Sequence, residues 1–353
     1  MKKLSSFALA MSGILLSHTV LANSSIDGDI VSGEVILPTS TIANAITTKD
    51  GKRVSAYKLT DYAQQVNEAE WSPNMNVNTA MTVKLQTLLD WNHVSPGSID
   101  GGWGVNSKQA LMNFQKLKGL EVTGKMNQET WDALTADIPS DQPVLVSYTL
   151  TDADVKGPYA TLPADAESRS KLKGLYYENI AEMLGERFHM DVAYVKKINP
   201  NKKFVAGETI TVINTGQPLD AKVTRVVADK QQSTVYAYSD DMLVAAYPST
   251  IGNTQSAAPT GKFKIANKIE MPTYKATVKN DKGESKSYIL PSGPNSPVGV
   301  LWMGLDKANC GIHGTAIPEV VNRPSTLGCI RLTNWDAMEL STAINTGATV
   351  EIR

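Results

Sequence analysis

The residues best suited to chemistry are one histidine and one cysteine near the carboxyl end of this 353-residue chain. His313 lies in Ile312-His313-Gly314-Thr315, and Cys329 follows sixteen positions later in Thr326-Leu327-Gly328-Cys329-Ile330-Arg331. A free thiol has a pKa of about 8.5, so it attacks well at neutral pH only when a base takes its proton. The pair therefore predicts a cysteine nucleophile, Cys329, with His313 as its base.

Two glycines, Gly314 and Gly328, flank this pair and let backbone approach a ligand closely. The N–H groups of Gly328 and Cys329 could then hold the oxyanion of a tetrahedral intermediate. Thr333-Asn334-Trp335-Asp336 has the spacing of a helix start, and a helix beginning there would add modest thiolate stabilisation. Taken singly, a lone cysteine is more often a core residue and a lone histidine a structural one. Their spacing among glycines favours catalysis.

Three segments resemble one enzyme family. His313-Gly314-Thr315 followed by the Thr326 to Arg331 run resembles the H-G-T and [S/T]-x-G-C-[I/V]-R motif of the L,D-transpeptidase (YkuD-type) catalytic domain. Upstream, residues 259–265 resemble the family's T-P-T-G-x-F-x-I segment, and residues 293–299 resemble its G-P-x-N-P-x-G loop. The resemblance covers about residues 221–353 and implies a mostly-β, sandwich-like or barrel-like catalytic domain.

The resemblance also implies roles for single residues. Cys329 would be the nucleophile and His313 its proton acceptor and donor, with the imidazole oriented by the backbone carbonyl of Gly314 rather than by a carboxylate. Arg331 would either bind a substrate carboxylate or brace its loop, and both alternatives stay open. Leu327 departs from the polar residue of many members. The implied catalytic residues are Cys329, His313, Gly314 and Gly328, and the implied substrate-binding residues are Arg331 and Thr326.

Cys310, three residues before the histidine, is the second cysteine of the chain. Two cysteines in an exported protein ordinarily indicate a disulfide. A bridge to Cys329 would consume the nucleophile, however, and in a strand over residues 310–313 the side chains of Cys310 and His313 would lie on opposite faces. We therefore predict two free thiols.

The amino terminus has the order of a secretory signal: two lysines, an apolar stretch and small residues before Asn23, which predicts a signal peptide over residues 1–22. No cysteine follows to carry a lipid, and no later window approaches the about 20 apolar residues of a membrane helix. We expect a periplasmic protein without a transmembrane anchor, and a monomer. With 34 basic and 35 acidic residues and no dense basic cluster, nucleic acid is not an expected partner.

The rest of the chain predicts a multidomain α+β protein. After a polar lead-in over residues 23–70, residues 71–137 predict a three-helix domain. Its motif order, including Leu85-Gln86, Asp100-Gly101 and Phe114-Gln115, resembles the peptidoglycan-binding domain of cell-wall enzymes. Residues 144–216 resemble a lysin-motif β-α-α-β module with an unusual insertion over residues 152–173. That module either binds glycan or acts as a spacer.

The leading hypothesis is an L,D-transpeptidase acting on peptidoglycan, with stem tetrapeptides and glycan as partners and with no cofactor or metal. An L,D-carboxypeptidase or endopeptidase of the same fold is an alternative. A zinc peptidase is disfavoured because the three histidines after residue 22 lie in different modules. A non-catalytic wall-binding protein is disfavoured because both the nucleophile and the base are present. The family resemblance also implies acylation of Cys329 by carbapenems.

Overall fold

The computed structural model describes residues 59–139, 142–252, 258–279, 283–323 and 329–353, together with three two-residue strands nearer the amino terminus. Those strands are β1 (Ile30–Val31), β2 (Ile46–Thr47) and β3 (Arg53–Val54), of which β2 and β3 pair with each other. The predicted signal peptide, residues 1–22, lies outside the described residues. Within the described part, no helix is both long enough and apolar enough to cross a membrane.

The helical domain follows the predicted spacing of apolar residues. Its helices are α1 (Asp61–Glu68), α2 (Thr79–Trp91), α3 (Val105–Leu117) and α4 (Gln128–Thr135). Asn78 and Asn127 cap α2 and α4 by accepting from backbone N–H groups, as short polar side chains do at helix starts. Helix α1 falls inside the predicted lead-in, where its Ala63 and Val66 are buried in the same core. The lead-in therefore ends in an ordered helix.

Residues 144–216 form a small α/β module. Its elements are β4 (Leu145–Thr149), α5 (Asp152–Lys156), α6 (Ala166–Arg169), α7 (Ile180–Arg187), α8 (Val192–Ile198) and β5 (Thr209–Ile213). Strands β4 and β5 pair antiparallel, and the insertion supplies the short helices α5 and α6. Asp154 ties the insertion to α7 through an ion pair of 2.6 Å with Arg187. The likeness to a lysin-motif fold stays a prediction.

The C-terminal domain, residues 221–353, is built on a mixed nine-stranded sheet. Its elements are β6 (Val223–Asp229), β7 (Thr234–Ser239), β8 (Met242–Pro248), β9 (Thr250–Ile251), β10 (Gly261–Glu270), β11 (Thr273–Lys279), β12 (Ser285–Leu290), β13 (Leu301–Leu305), β14 (Gly311–His313), a 3-10 helix (Pro318–Val320), β15 (Ile330–Arg331), α9 (Asn334–Ala343) and β16 (Ile344–Ile352). The order across the sheet is β8-β7-β6-β16-β10-β13-β14-β15-β9.

The sheet curls back on itself, because its two edge strands, β8 and β9, are separated by only one residue of the chain. Helix α9 packs against β13, β14 and β16 and covers one face. The hairpin of β11 and β12 leaves this sheet and pairs with β1 instead. The predicted fold class, a multidomain α+β protein with a mostly-β barrel-like C-terminal domain, is confirmed.

Backbone hydrogen bonds join the three parts. In the helical domain, the N–H of Ser95 donates to the carbonyl of Ala246 in β8, and the carbonyl of His93 accepts from the N–H of Ala246, at 2.9 Å each. Ile99 bonds His189 and Asp191 of the α/β module at 2.8 and 3.0 Å. The segment just after the insertion bonds the C-terminal domain in turn, through the backbone of Leu175. These bonds fix the positions of the helical domain and the α/β module against the C-terminal domain.

Candidate active site

His313 ends the short strand β14, which lies between two strands of the sheet. Strand β13 pairs antiparallel with β14 and places Trp302 beside His313. On the other side β15 runs parallel and places Arg331 beside His313. His313 is fully buried. Its backbone carbonyl accepts from Leu332 at 2.9 Å, so the strand is held through the histidine itself.

The imidazole has one fixed partner and one unused nitrogen. Nδ1 lies 2.7 Å from the carbonyl oxygen of Gly314, which can only accept, so Nδ1 carries the proton and donates. Nε2 is buried without a hydrogen-bond partner among the described residues. A neutral imidazole held this way presents its lone pair on Nε2, as a general base requires.

The surroundings of His313 favour its neutral form. Its pKa is lowered to about 4: burial and, less strongly, the positive charge of Arg331 lower it, and the hydrogen bond to Gly314 acts to raise it. The indole of Trp302 stacks on the imidazole with ring centroids 5.7 Å apart and fixes the plane of the ring. At neutral pH the imidazole is therefore uncharged.

The two cysteines form a disulfide, so the prediction of two free thiols is wrong. Cys310 and Cys329 have Cα atoms 5.0 Å apart, well within the range that a disulfide requires. The alternation argument failed because Cys310 precedes β14 rather than belonging to it. The parallel register of β14 and β15 places Gly311 opposite Cys329, so Cys310 is the diagonal neighbour. Both cysteines are buried.

Arg331 is buried to all but 6% of its surface in β15, between His313 of β14 and Thr250 of β9. Burial lowers the pKa of its guanidinium. Its position beside the imidazole is consistent with bracing the strand pair and with binding an anionic group, so both alternatives remain open. Thr326, Leu327 and Gly328 lie outside the described residues.

The helix predicted after the cysteine is present as α9. Thr333 caps it, with its side-chain oxygen accepting from the N–H of Asp336 at 3.1 Å. The sequence interpretation took Asn334 only as part of this helix start. Its side chain instead bonds Val300 and Thr315, on two loops beside the histidine. One feature of the sequence could have indicated this role. Thr333 already caps the helix, so the side chain of the neighbouring Asn334 is not needed for capping and can bond other segments.

An acidic cavity of about 180 Å³ adjoins the segment after Thr315. It is lined mainly by α7 and by the start of the 3-10 helix, including Glu182, Glu186 and Glu319. Burial raises the pKa of Glu186 to about 8; a hydrogen bond from Asn334 acts to lower that pKa, and repulsion from Glu182 and Glu319 acts to raise it. The α/β module therefore contributes one wall beside the histidine loop.

The described residues bring together no group of three His, Cys, Asp or Glu side chains that could hold a metal ion. The zinc-peptidase alternative thus has no ligand set in that part of the chain. The chemistry available from the described residues is a buried neutral imidazole on β14 and, once the disulfide is reduced, a thiol directly before the paired strand β15.

The C-terminal sheet is that of an enzyme of the L,D-transpeptidase class, as comparisons with known proteins show. The family model of the L,D-transpeptidase catalytic domain matches residues 223–352, and that of a peptidoglycan binding domain matches residues 79–134. A Bacillus subtilis (strain 168) protein named as the L,D-transpeptidase YqjB is 30% identical over 132 residues, which are 36% of this chain and 69% of the relative. The chain belongs to the L,D-transpeptidase family.

Other similar proteins bear the same family name. A Bacillus licheniformis (strain ATCC 14580) protein named as the L,D-transpeptidase YkuD is 29% identical over 147 residues, 42% of this chain and 75% of the relative. The solved catalytic domain of the E. faecium L,D-transpeptidase acylated by ertapenem is 25% identical, with a TM-score of 0.30, and the match covers 37% of this chain and 98% of that one. A solved Ldtfm-avibactam carbamoyl enzyme is 21% identical with a TM-score of 0.30, and the match covers 37% of this chain and 49% of that one.

Proposed function

We propose that this protein is a periplasmic L,D-transpeptidase that transfers the acyl group of a peptidoglycan stem peptide through Cys329. The observation that carries the proposal is the imidazole of His313. Its Nδ1–H donates to the carbonyl of Gly314, and its Nε2 has no hydrogen-bond partner among the described residues. The histidine lies on β14, which pairs with Ile330 and Arg331, the two residues directly after Cys329. Family membership supplies the donor, a tetrapeptide stem ending in D-alanine.

The reaction divides into two halves. Nε2 of His313 takes the proton of the Cys329 thiol, and the thiolate attacks the carbonyl carbon of the third stem residue, diaminopimelate. Collapse of the tetrahedral intermediate breaks the amide bond, and the imidazolium returns its proton to the leaving amine of D-alanine. An amine then attacks the thioester, His313 takes a proton from that amine, and the thiolate departs.

The acceptor that attacks the thioester in the second half of the reaction determines the product. A side-chain amine of a neighbouring stem gives a 3-3 cross-link, a D-amino acid gives exchange, a lipoprotein lysine gives attachment, and water gives an L,D-carboxypeptidase. The match of residues 79–134 to a peptidoglycan binding domain supports a wall-bound enzyme for any of these.

The Cys310–Cys329 disulfide imposes a condition on this chemistry, because a bridged sulfur is not a nucleophile. The oxidised protein should therefore be inactive, and the first half reaction requires a thiol reductant. The matched pair of variants is Cys329→Ala and Cys310→Ala: both remove the bridge, and only the second leaves the proposed nucleophile.

The test is mass spectrometry of a diaminopimelate-containing disaccharide tetrapeptide incubated with the mature protein, with and without a thiol reductant. We expect a cross-linked dimer and D-alanine loss from the reduced parent and from Cys310→Ala in either condition. Cys329→Ala should give neither product while still sedimenting with isolated sacculi. Turnover by Cys329→Ala would overturn the assignment of the nucleophile, and tripeptide alone would identify a carboxypeptidase.

Export completes the proposal, since the first 22 residues have the order of a secretory signal. Amino-terminal sequencing of protein recovered from the periplasmic fraction should begin at Asn23. Recovery of uncleaved protein from the cytoplasm would refute this location.

A further inference from the structure

The side chain of Asn334 joins three separate segments around the histidine. Its Oδ1 accepts from the N–H of Thr315 at 3.1 Å and from the N–H of Val300 at 3.2 Å. Its Nδ2 donates to a carboxylate oxygen of Glu186 at 3.2 Å and to the carbonyl oxygen of Pro294 at 3.3 Å. Since a backbone N–H can only donate, the atom facing Thr315 and Val300 must be the amide oxygen.

One of these bonds acts on the same peptide group that holds the histidine. The N–H of the Gly314–Thr315 peptide donates to Asn334, and the carbonyl of that peptide accepts the Nδ1–H of His313 at 2.7 Å. A hydrogen bond at the N–H of an amide polarises the group and strengthens the bond at its carbonyl. Asn334 thus reaches the imidazole through a single peptide unit.

The backbone is shaped to admit this side chain. A Cβ added at Gly299 or at Gly314 would overlap Oδ1 of Asn334, so both loops need glycine at these positions. Asn334 is 3% exposed, and the start of α9 is already capped by Thr333. The amide is therefore used for the loops and not for the helix.

Resting on the assignment of His313 as the base, we propose that Asn334 is a positioning residue that fixes the tautomer of His313. It holds the Gly314–Thr315 peptide so that the carbonyl faces Nδ1, the proton stays on Nδ1, and Nε2 keeps the lone pair that receives the thiol proton. Without this bond the peptide turns, both tautomers are populated, and the imidazole loses its fixed direction.

The tautomer can be read directly. In reduced full-length protein with ¹⁵N-labelled histidine, the two imidazole nitrogens give distinct shifts when protonated and unprotonated, and single His→Gln variants assign the signals. The parent should show His313 as the Nδ1–H form alone. This measurement needs no substrate and no turnover.

Two variants of Asn334 separate the loss of its hydrogen-bond acceptor from a change in the shape of its side chain. Asn334→Leu keeps a similar volume and removes the acceptor, and we expect mixed tautomers and a fall of about 100-fold in kcat for tetrapeptide turnover, with KM nearly unchanged. Asn334→Asp keeps an acceptor in both protonation states, because the carbonyl oxygen of a protonated carboxyl can replace Oδ1 and its O–H can replace Nδ2. It should therefore retain the parent Nδ1–H tautomer and lose less of kcat than Asn334→Leu.

Asn199→Leu is the control for loss of a buried amide. Asn199 is 4% exposed and bonds Val195 and Thr211 within the α/β module, and it makes no contact with the histidine loop among those given by the structure. It should lower stability without changing the His313 tautomer or the shape of the pH profile.

The proposal is overturned if Asn334→Leu retains the pure Nδ1–H form and the parent pH profile, and so behaves as Asn199→Leu does. Should Asn334→Leu not fold, Asn334→Ala decides, because it also removes the acceptor: the pure Nδ1–H form of His313 in that variant overturns the proposal, and mixed tautomers support it. Failure of the proposed function looks different, because His313→Gln would then retain turnover whatever the tautomer result.

Discussion

Two histidines of this protein share almost the same local arrangement and differ in one partner. His313 stacks on Trp302 and donates from Nδ1 to a neutral carbonyl at 2.7 Å, whereas His189 stacks on Trp335, with centroids 5.3 Å apart, and bonds the carboxylate of Asp90 through Nδ1 at 2.9 Å. Burial acts to lower both pKa values. For His313 it prevails, but for His189 the attraction and hydrogen bond of Asp90 raise the pKa above its usual value. The partner of Nδ1 therefore goes with the direction of the shift: beside a neutral carbonyl the pKa is lowered, and beside a carboxylate it is raised.

His189 has a second histidine as its companion at the junction of the three parts. His93 of the helical domain lies 3.1 Å from the carboxylate of Glu339 in α9, and although burial opposes it, the hydrogen bond to Glu339 raises the pKa of His93. Asp336 lies in the same helix and accepts from Ser95 at 3.1 Å. The junction is thus a set of groups held by carboxyl groups, whereas His313 is held by a backbone carbonyl.

The largest expected difference between the two histidines is catalytic. His313→Gln should lower tetrapeptide turnover at least about 10³-fold, because the proton acceptor is lost. His189→Gln should change kcat by less than about threefold, since it lies in the junction. Product formation by mass spectrometry, at matched amounts of sacculus-bound protein, measures both. Equal losses of turnover in the two variants would show that the two histidines do not differ in catalytic role.

Oxidation should affect the site around His313 and leave the junction of the three parts unchanged. In the parent, removal of reductant should abolish turnover and leave the junction intact, whereas Cys310→Ala should turn over equally in both conditions. The bridge spans 19 positions of sequence, so its loss from the oxidised protein should lower the free energy of unfolding by about 3 kcal/mol. Thiol titration, turnover and denaturant unfolding measure the three effects. Full activity of the oxidised parent would contradict the disulfide.

The pH dependence of stability should follow the buried groups whose pKa values are raised. Burial raises the pKa of Asp336 to about 7 and that of Glu186 to about 8, so their stabilising contribution is complete below about pH 4 and is lost as pH rises through those values. The raised pKa values of His93 and His189 act in the same direction just above pH 6.5.

His313 has the opposite sign, because its lowered pKa makes its contribution present above about pH 6.5 and lost as pH falls towards 4. Between pH 6.5 and 8.5 we therefore expect Tm to fall by about 5 °C. Calorimetric scans at constant ionic strength measure this fall, and His189→Gln should make it shallower. A Tm that rises over the same interval would refute the assignment of signs.

The smallest effect isolates the pairing of His189 itself. Asp90→Asn keeps a hydrogen-bond acceptor near Nδ1 and removes the negative charge, which should lower the free energy of unfolding by about 1 kcal/mol at pH 6 and by less at pH 8. It should also return the pKa of His189 towards or below its usual value, as measured by NMR titration. An unchanged His189 pKa would show that another group raises it.

The sequence predicted what short-range patterns encode. The helices of residues 79–135 follow from apolar spacing and from the caps Asn78 and Asn127, and the start of α9 follows from Thr333 and Asp336. Family motifs added the identity of the C-terminal domain, and the catalytic pairing of His313 with Cys329 stays a prediction.

The contacts that complete the site were beyond such patterns, because they join segments far apart in sequence. The bridge of Cys310 to Cys329 depends on the parallel register of β14 and β15, which spacing alone does not reveal. The same is true of the contacts of Asn334 and of those of Leu175, just after the insertion, which bonds Ser292 and Asn295 at 2.8 and 2.9 Å. The roles predicted for Thr326 and Gly328 stay predictions.

The position of β16 has a consequence for the cooperativity of the sheet. This strand lies in the middle of the sheet, parallel to β6 and antiparallel to β10, so it supplies hydrogen-bond partners to both halves at once. Among the described residues, the β6–β8 meander and the strands that carry His313 are joined in the order of the sheet only through β16. Loss of this one strand would therefore split the sheet into two parts, so β16 makes the two halves fold and unfold together.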